Sequence, residues 1–200
     1  MEKYTPARKI SSRHGWGEVT SLFFSDKMNM HIAWESQLER DYCYLLDFDK
    51  KIKRFFSQPK TFNFTYSGRK IRYTPDFYIE YIDGSSEYIE IKFSNVLENP
   101  KIARKLKILK NYFSQNGIQY KILFEDDIRK QPRLRNIKFL KKYCKIVYMP
   151  KDPLEFYGKL KDLRQYIDDQ YIYSAMYEGL IEFDINEEIN ENLSIRLEVL

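Results

Sequence analysis

Histidine and cysteine are almost missing from this 200-residue chain: His14 and His31 are its imidazoles, Cys43 and Cys144 its thiols. No paired Cys/His spacing is available for zinc, and Cys–His nucleophilic catalysis lacks parts. Two distant cysteines suit buried thiols in a reducing compartment, not a disulfide framework. No G-x-S-x-G elbow is present, which argues against a Ser-His-Asp hydrolase. No run approaches the roughly 18 apolar residues of a membrane span, and the charged N-terminus does not read as a signal peptide. A cytoplasmic, globular chain with no membrane partner is expected. Repeats and low-complexity tracts are absent, and the 17 Tyr and 14 Phe mostly occupy apolar-periodic positions, as core residues do.

What the chain has is positive charge, unevenly placed. Residues 151–200 contain 5 Lys/Arg against 12 Asp/Glu, which leaves 29 against 17 in residues 1–150. The shift follows Tyr148-Met149-Pro150-Lys151-Asp152-Pro153, so we divide the chain there. Residues 1–150 form a basic main domain opened by an irregular arm, about 1–33; residues 151–200 form a small acidic module. A basic surface suits a polyanionic substrate. In the arm, Arg8, Lys9 and Arg13 either lie along a phosphate backbone or belong to a solvated terminus.

Periodicity predicts a helix over 34–47 with Leu38, Tyr42, Leu45 and Leu46 as its apolar stripe. Strands follow at 52–56, 60–66, 70–82 and 87–93, punctuated by Ser67-Gly68 and Asp83-Gly84. A helix opens at Pro100 and ends at Gly117, burying Ile102, Leu106, Leu109 and Phe113. Its outward Lys101, Arg104 and Lys105 are either phosphate contacts or a solvated face. A strand at 118–124, a basic helix at 133–143 and two short helices within 154–178 complete the expectation. Gly179 to Ile185 then runs from a helix end into a strand or turn.

The chemistry concentrates in Tyr73-Thr74-Pro75-Asp76-Phe77 and Ile89-Glu90-Ile91-Lys92. Strand alternation points Glu90 and Lys92 one way and Ile89 and Ile91 the other. Matching the apolar faces of the two strands requires a connection of odd length, at 83–85 or 83–87, which sets Asp76 near Glu90 or Lys92. Two carboxylates can then hold a hard divalent cation while an ammonium orients the attacking water. The plainer alternative is an amphipathic hairpin with a solvated charged face. Glu39 borders the apolar stripe of the first helix and reaches inward as a third acid, unless it is an ordinary surface glutamate. Gln58, before Pro59, either bonds substrate or carboxylates or structures its loop.

Together, Glu35-Ser36-Gln37-Leu38-Glu39-Arg40-Asp41-Tyr42, Phe48-Asp49, Gln58-Pro59, the Tyr73–Phe77 run and Glu90-Ile91-Lys92 resemble TnsA, the endonuclease subunit of heteromeric cut-and-paste transposases. Asn99-Pro100-Lys101, Tyr112-Phe113, Gly117-Ile118 and Phe124-Glu125-Asp126-Asp127-Ile128 extend the resemblance over roughly residues 8–130. It implies an α/β, restriction-endonuclease-like mixed sheet flanked by helices, with a small winged-helix-like C-terminal module. It implies Glu39, Asp76 and Glu90 as the catalytic acids and Lys92 as the basic partner. Mg²⁺, or Mn²⁺ in its place, would be held by Asp76, Glu90, the Ile91 carbonyl and Glu39. The implied reaction is cleavage of the non-transferred DNA strand at transposon ends. The implied partners are double-stranded DNA, a TnsB-like transposase and a TnsC-like AAA+ ATPase, in the bacterial cytoplasm at the nucleoid. A stand-alone restriction or repair nuclease, and a mainly structural bridging subunit, are the alternatives.

Overall fold

The computed structural model describes residues 4–7, 21–146 and 154–199. Arg8, Lys9, Arg13 and the proline-marked segment 148–153 lie outside the described residues. The chain forms two compact units, Met1–Ile128 and Arg129–Leu200. The chain thus divides earlier than composition alone suggests, because the basic helix packs with the later elements. Residues 129–150 contain eight Lys/Arg and no acid, so the second unit carries 13 basic against 12 acidic residues.

The first unit opens with β1 (Ser21–Ser25) and β2 (Met30–Trp34), an antiparallel hairpin. The irregular arm expected through residue 33 therefore ends in regular structure. Alternation buries Phe23 and Ile32 while leaving Leu22 and His31 exposed. Asn29 takes φ 51 in the connecting turn, a left-handed position that Asn tolerates. The turn is tied to helix α1 (Gln37–Phe48): Ser25 Oγ donates to Asp47 Oδ1 at 2.5 Å, and Lys27 Nζ donates to the Leu46 carbonyl at 2.9 Å. Burial pushes the Lys27 ammonium down to about 8, against the pull of Asp47 and Asp49.

Next come β3 (Ile52–Ser57), β4 (Phe62–Tyr66), β5 (Arg69–Tyr73), β6 (Phe77–Tyr81) and β7 (Ser86–Lys92). A 3-10 turn leads to α2 (Pro100–Gln115), then β8 (Tyr120–Phe124) and α3 (Glu125–Ile128). The sheet runs β3-β6-β7-β8, antiparallel except for the parallel pair β7/β8. Parallel neighbours need a long crossover, and α2 supplies it. The expected strand 70–82 is broken at Thr74–Asp76, where Pro75 has no N–H to give a ladder. Its first half instead forms a separate ribbon, β4 with β5.

The two sides of the sheet have different covers. Leu38, Tyr42, Cys43 and Leu46 of α1 pack on Phe55, Phe77, Ile79, Ile89 and Ile91. Leu106, Leu109 and Phe113 of α2 pack with Phe62 and Tyr73 of the ribbon and with Tyr88, Tyr120 and Ile122. Phe77 pairs with Ile89 and Glu80 with Ser86, so like faces match as the apolar patterns require. The connection is odd-numbered, but one residue earlier than expected: Tyr81 N–H bonds Ser85 O, leaving Ile82-Asp83-Gly84 as the loop. Gly84 takes φ 86 there, the left-handed position of a three-residue hairpin loop.

In the second unit, α4 (Arg133–Leu140) continues as a 3-10 turn to Tyr143. Then follow β9 (Leu154–Lys159), α5 (Leu160–Leu163), α6 (Asp169–Glu178), β10 (Ile181–Glu182) and β11 (Ser194–Val199). The first of the two helices expected within 154–178 begins as a strand. β9 pairs with the distant β11, and β10 completes an antiparallel sheet in the order β10-β11-β9. Gly179 (φ 79) caps α6 in the left-handed conformation, the expected helix end. Among the described residues, no helix is long and apolar enough to cross a membrane.

Candidate active site

Asp76 stands one residue before β6, held by its own backbone. Gln58 N–H donates to the Asp76 carbonyl at 2.8 Å, extending the β3/β6 contact by one residue, up to Pro75. Continuing the β6/β7 register sets Asp76 opposite Glu90. The Asp76 carboxylate reaches across to β7, where Oδ2 accepts from Ile91 N–H at 2.7 Å. Lys92 joins the strands: Nζ lies 2.6 Å from Glu90 Oε1 and 3.7 Å from Asp76 Oδ2, and donates to the Ile91 carbonyl at 2.9 Å. Asp76, Glu90, Ile91 and Lys92 are thus brought together as their spacing predicts.

Glu39 shares the same cleft, of about 690 Å³, at the start of α1. Its carboxylate is turned to the helix end. Oε2 accepts from Glu35 N–H at 3.0 Å and Oε1 from Ser36 Oγ at 3.1 Å, while Ser36 Oγ accepts from Glu39 N–H at 3.1 Å. The Ser-x-x-Glu spacing of a capping box was available in the sequence as the signal for this second role. Among the described residues, no group of three His, Cys, Asp or Glu side chains is gathered as a metal cluster. The close set is two acids and a lysine, with the third acid beside it.

Glu39, Asp76 and Glu90 are 7%, 8% and 5% exposed, which makes their charge expensive. Burial and then the Glu90 carboxylate push Asp76 up to about 8, with Lys92 and the Ile91 N–H pulling the other way. Burial also raises Glu39, against its bonds from Glu35 and Ser36. For Lys92, burial opposes the charge, but Asp76 and Glu90 outweigh it and raise the ammonium. The site holds more carboxyl groups than one lysine could neutralise if all were charged, in keeping with the raised Asp76 and Glu39.

Two tyrosines sit beneath Glu90. Tyr73 donates its hydroxyl to Glu90 Oε2 at 2.5 Å and lies 2.9 Å from the Tyr120 hydroxyl. Burial, and then the Glu90 charge, raise both phenols far above their usual range, so both stay protonated. Sequence reasoning missed them as site residues. Tyr73 heads the motif containing Asp76, but Tyr120 is placed only by the parallel β7/β8 register.

The basic residues separate. Lys105 lines the cleft together with Arg72, which the sequence reading passed over; Lys101 and Arg104 are exposed on α2. Gln58 is fully buried at φ 50, and backbone bonds tie it to Asp76 and Ala7, a loop-structuring place. The acids after β8 also structure their turn: Asp127 Oδ2 accepts from Phe124 N–H at 2.9 Å.

No curated protein matches the chain. A family model does, and its span runs from the end of α1 through β7 and α2 to the end of β8, covering Asp76, Glu90 and Lys92. Residues 49–125 match the TnsA-like endonuclease N-terminal domain, which supports a TnsA-type endonuclease.

Proposed function

We propose that the chain is the metal-dependent DNA endonuclease subunit of a heteromeric transposase. The observation that carries this reading is the contact set of Lys92, whose ammonium touches Glu90, Asp76 and the Ile91 carbonyl at once. Those oxygens are hard donors converging from two adjacent strands, buried and short of positive charge. That donor set fits Mg²⁺, or Mn²⁺ in its place, better than a softer ion. Asp76, Glu90 and the Ile91 carbonyl would hold the ion, with Glu39 available in the same cleft. When bound, the ion supplies positive charge to the phosphate undergoing hydrolysis.

The chain's own residues do the rest. Ile91 N–H fixes one Asp76 oxygen, so that carboxylate is oriented before any ligand arrives. Tyr73 holds Glu90 by its second oxygen and leaves Oε1 toward Lys92. Lys92, held near the acids, positions the attacking water and offsets charge developing on the phosphorus oxygens.

The restriction-endonuclease-like fold is supported by the mixed sheet with a helix on each side. The second unit's order of helix, strand, two helices and two strands supports a winged-helix-like module. The family match supports a place in a Tn7-type system, with cleavage of the non-transferred strand at transposon ends. We assign recruitment of the TnsB-like transposase or TnsC-like ATPase to residues 129–200, whose acids concentrate after residue 150.

The test is strand-resolved cleavage of a transposon-end duplex by the purified chain, with Mg²⁺, Mn²⁺ or EDTA, and with and without the transposase. Divalent-ion-dependent cutting of the non-transferred strand, enhanced by the transposase, is expected. Equal cutting of unrelated DNA by the chain alone would favour a stand-alone nuclease. No cutting under any condition would reduce the chain to a structural subunit.

A further inference from the structure

The cleft has a basic side as well as an acidic one, and the two do not neutralise each other. Arg72 and Lys105 line it alongside Glu39, Asp76 and Glu90. They come from different elements: Arg72 from the ribbon strand β5, Lys105 from the exposed side of α2. Lys92 is bound into the acids, whereas among the described residues neither Arg72 nor Lys105 is ion-paired with a carboxylate. The Lys105 ammonium rests 5.9 Å from the centre of the Tyr73 ring. That is the same Tyr73 whose hydroxyl holds Glu90.

Alternation explains how the ribbon presents its charge. Ile71 and Tyr73 pack into the α2 cluster, so Lys70 and Arg72 take the outer face, with Arg69 beside the turn. A row of exposed cations therefore ends at the cleft. Two unpaired cations beside buried acids set opposed fields in one cavity. A polyanionic ligand whose backbone meets the cations, and whose reacting group meets the acids through a divalent ion, would satisfy both. A nucleic-acid phosphate chain is that ligand.

We propose that Arg72 and Lys105 form a phosphate-binding lip. They seat the substrate strand so that one phosphate lies at Asp76 and Glu90 while neighbouring phosphates rest on the lip. The guanidinium presents a planar fork that binds two phosphate oxygens, and the ammonium acts as a point charge over the Tyr73 face. These are positioning residues, carrying register without reading bases. The proposal rests on the endonuclease reading and adds to it where the DNA strand lies.

The full chain would be titrated against two fluorescein-labelled DNA duplexes of unrelated sequence, in Ca²⁺ across a salt series. Arg72→Ala and Lys105→Ala should each flatten the dependence of log affinity on log salt by about 1, and the double variant by about 2. The loss should be equal on both duplexes. Arg72→Lys should keep the wild-type slope, which separates lost charge from misfolding. In cleavage, the loss should fall on KM more than on kcat. A double variant with the wild-type slope, or one weakened on a single sequence, would overturn the lip. Mn²⁺ binding by calorimetry, expected to be unchanged in these variants, tests the parent reading separately. A wild-type chain that binds no Mn²⁺ but loses slope on Arg72→Ala would sink the metal site and uphold the lip.

Discussion

The two units bury polar groups on opposite terms. In Met1–Ile128, the buried carboxylates of Asp76 and Glu90 share the one ammonium of Lys92, with buried Glu39 beside them. In Arg129–Leu200, the buried polar side chains among the described residues are Asn136 and Ser174, both neutral. Asn136 donates to the carbonyls of Ile185 at 2.9 Å and Glu187 at 2.7 Å, and Ser174 donates to that of Ile146. Buried amides and hydroxyls with partners are ordinary structure; crowded carboxylates cost stability unless something neutralises them. Asp47 sharpens the contrast within the first unit. It is equally buried but is satisfied by Ser25 Oγ and by the N–H groups of Lys27 and Asp26 at 3.3 and 3.4 Å. Burial of an acid does not mark a site; the shortfall of partners does.

The strongest way to break this comparison is to remove an acid from each class. Asp76→Ala or Glu90→Ala should cut divalent-ion-dependent cleavage by roughly 10³-fold or more, whereas Asp47→Asn should leave turnover intact in the folded fraction. Plasmid nicking beside circular dichroism measures both. A well-folded Asp76→Ala that cuts at the wild-type rate would end the assignment.

Lys92→Arg comes next. The guanidinium keeps the charge but spreads it over a plane too large for the pocket between Glu90 Oε1 and the Ile91 carbonyl. Its activity should fall to within about tenfold of Lys92→Ala. Wild-type turnover would make the residue generic charge balance. Tyr73→Phe is smaller: losing the bond that orients Glu90 should weaken Mn²⁺ affinity by about 10–100-fold. An unaltered affinity would confine Tyr73 to the α2 core.

The smallest effect concerns stability. Asp76 ionises near 8 in the folded chain and near 3.8 when unfolded, so between these values the folded state holds the extra proton. Stability of the metal-free chain should therefore fall as pH rises from about 4 to about 8. Asp76→Asn should remove this slope and be the more stable protein at pH 8, by about 1–3 kcal/mol. Asn136→Ala, by contrast, should cost about 1–3 kcal/mol at every pH in that window. Urea melts at pH 5 and pH 8 check both, and a wild-type melt independent of pH would remove the carboxylate conflict.

How much of this was legible in the sequence follows from the range of each interaction. Strand alternation is local, so the common face of Asp76, Glu90 and Lys92 and the odd-length hairpin loop could be read directly. The stripe of α2 was legible for the same reason. Contacts between distant segments were not. Tyr120 reaches Tyr73 only through the β7/β8 register, and β9 is a strand because β11 pairs with it some forty residues later. Pro75 marked a break, but that the freed half makes its own ribbon depended on α2 covering it. The charge step at residue 150 was visible but crosses a folded unit, where Arg135 and Glu188 meet at 2.7 Å.

The capping arrangement at α1 turns a backbone amide into a gauge. Glu35 N–H has Glu39 Oε2 as its acceptor. Any ligand that draws the Glu39 carboxylate into the cleft withdraws that acceptor and leaves the amide to water. Hydrogen–deuterium exchange at this peptide should therefore quicken as the cleft fills and slow as it empties. Occupancy could then be followed with inert ions and uncleavable DNA, without a single bond being cut.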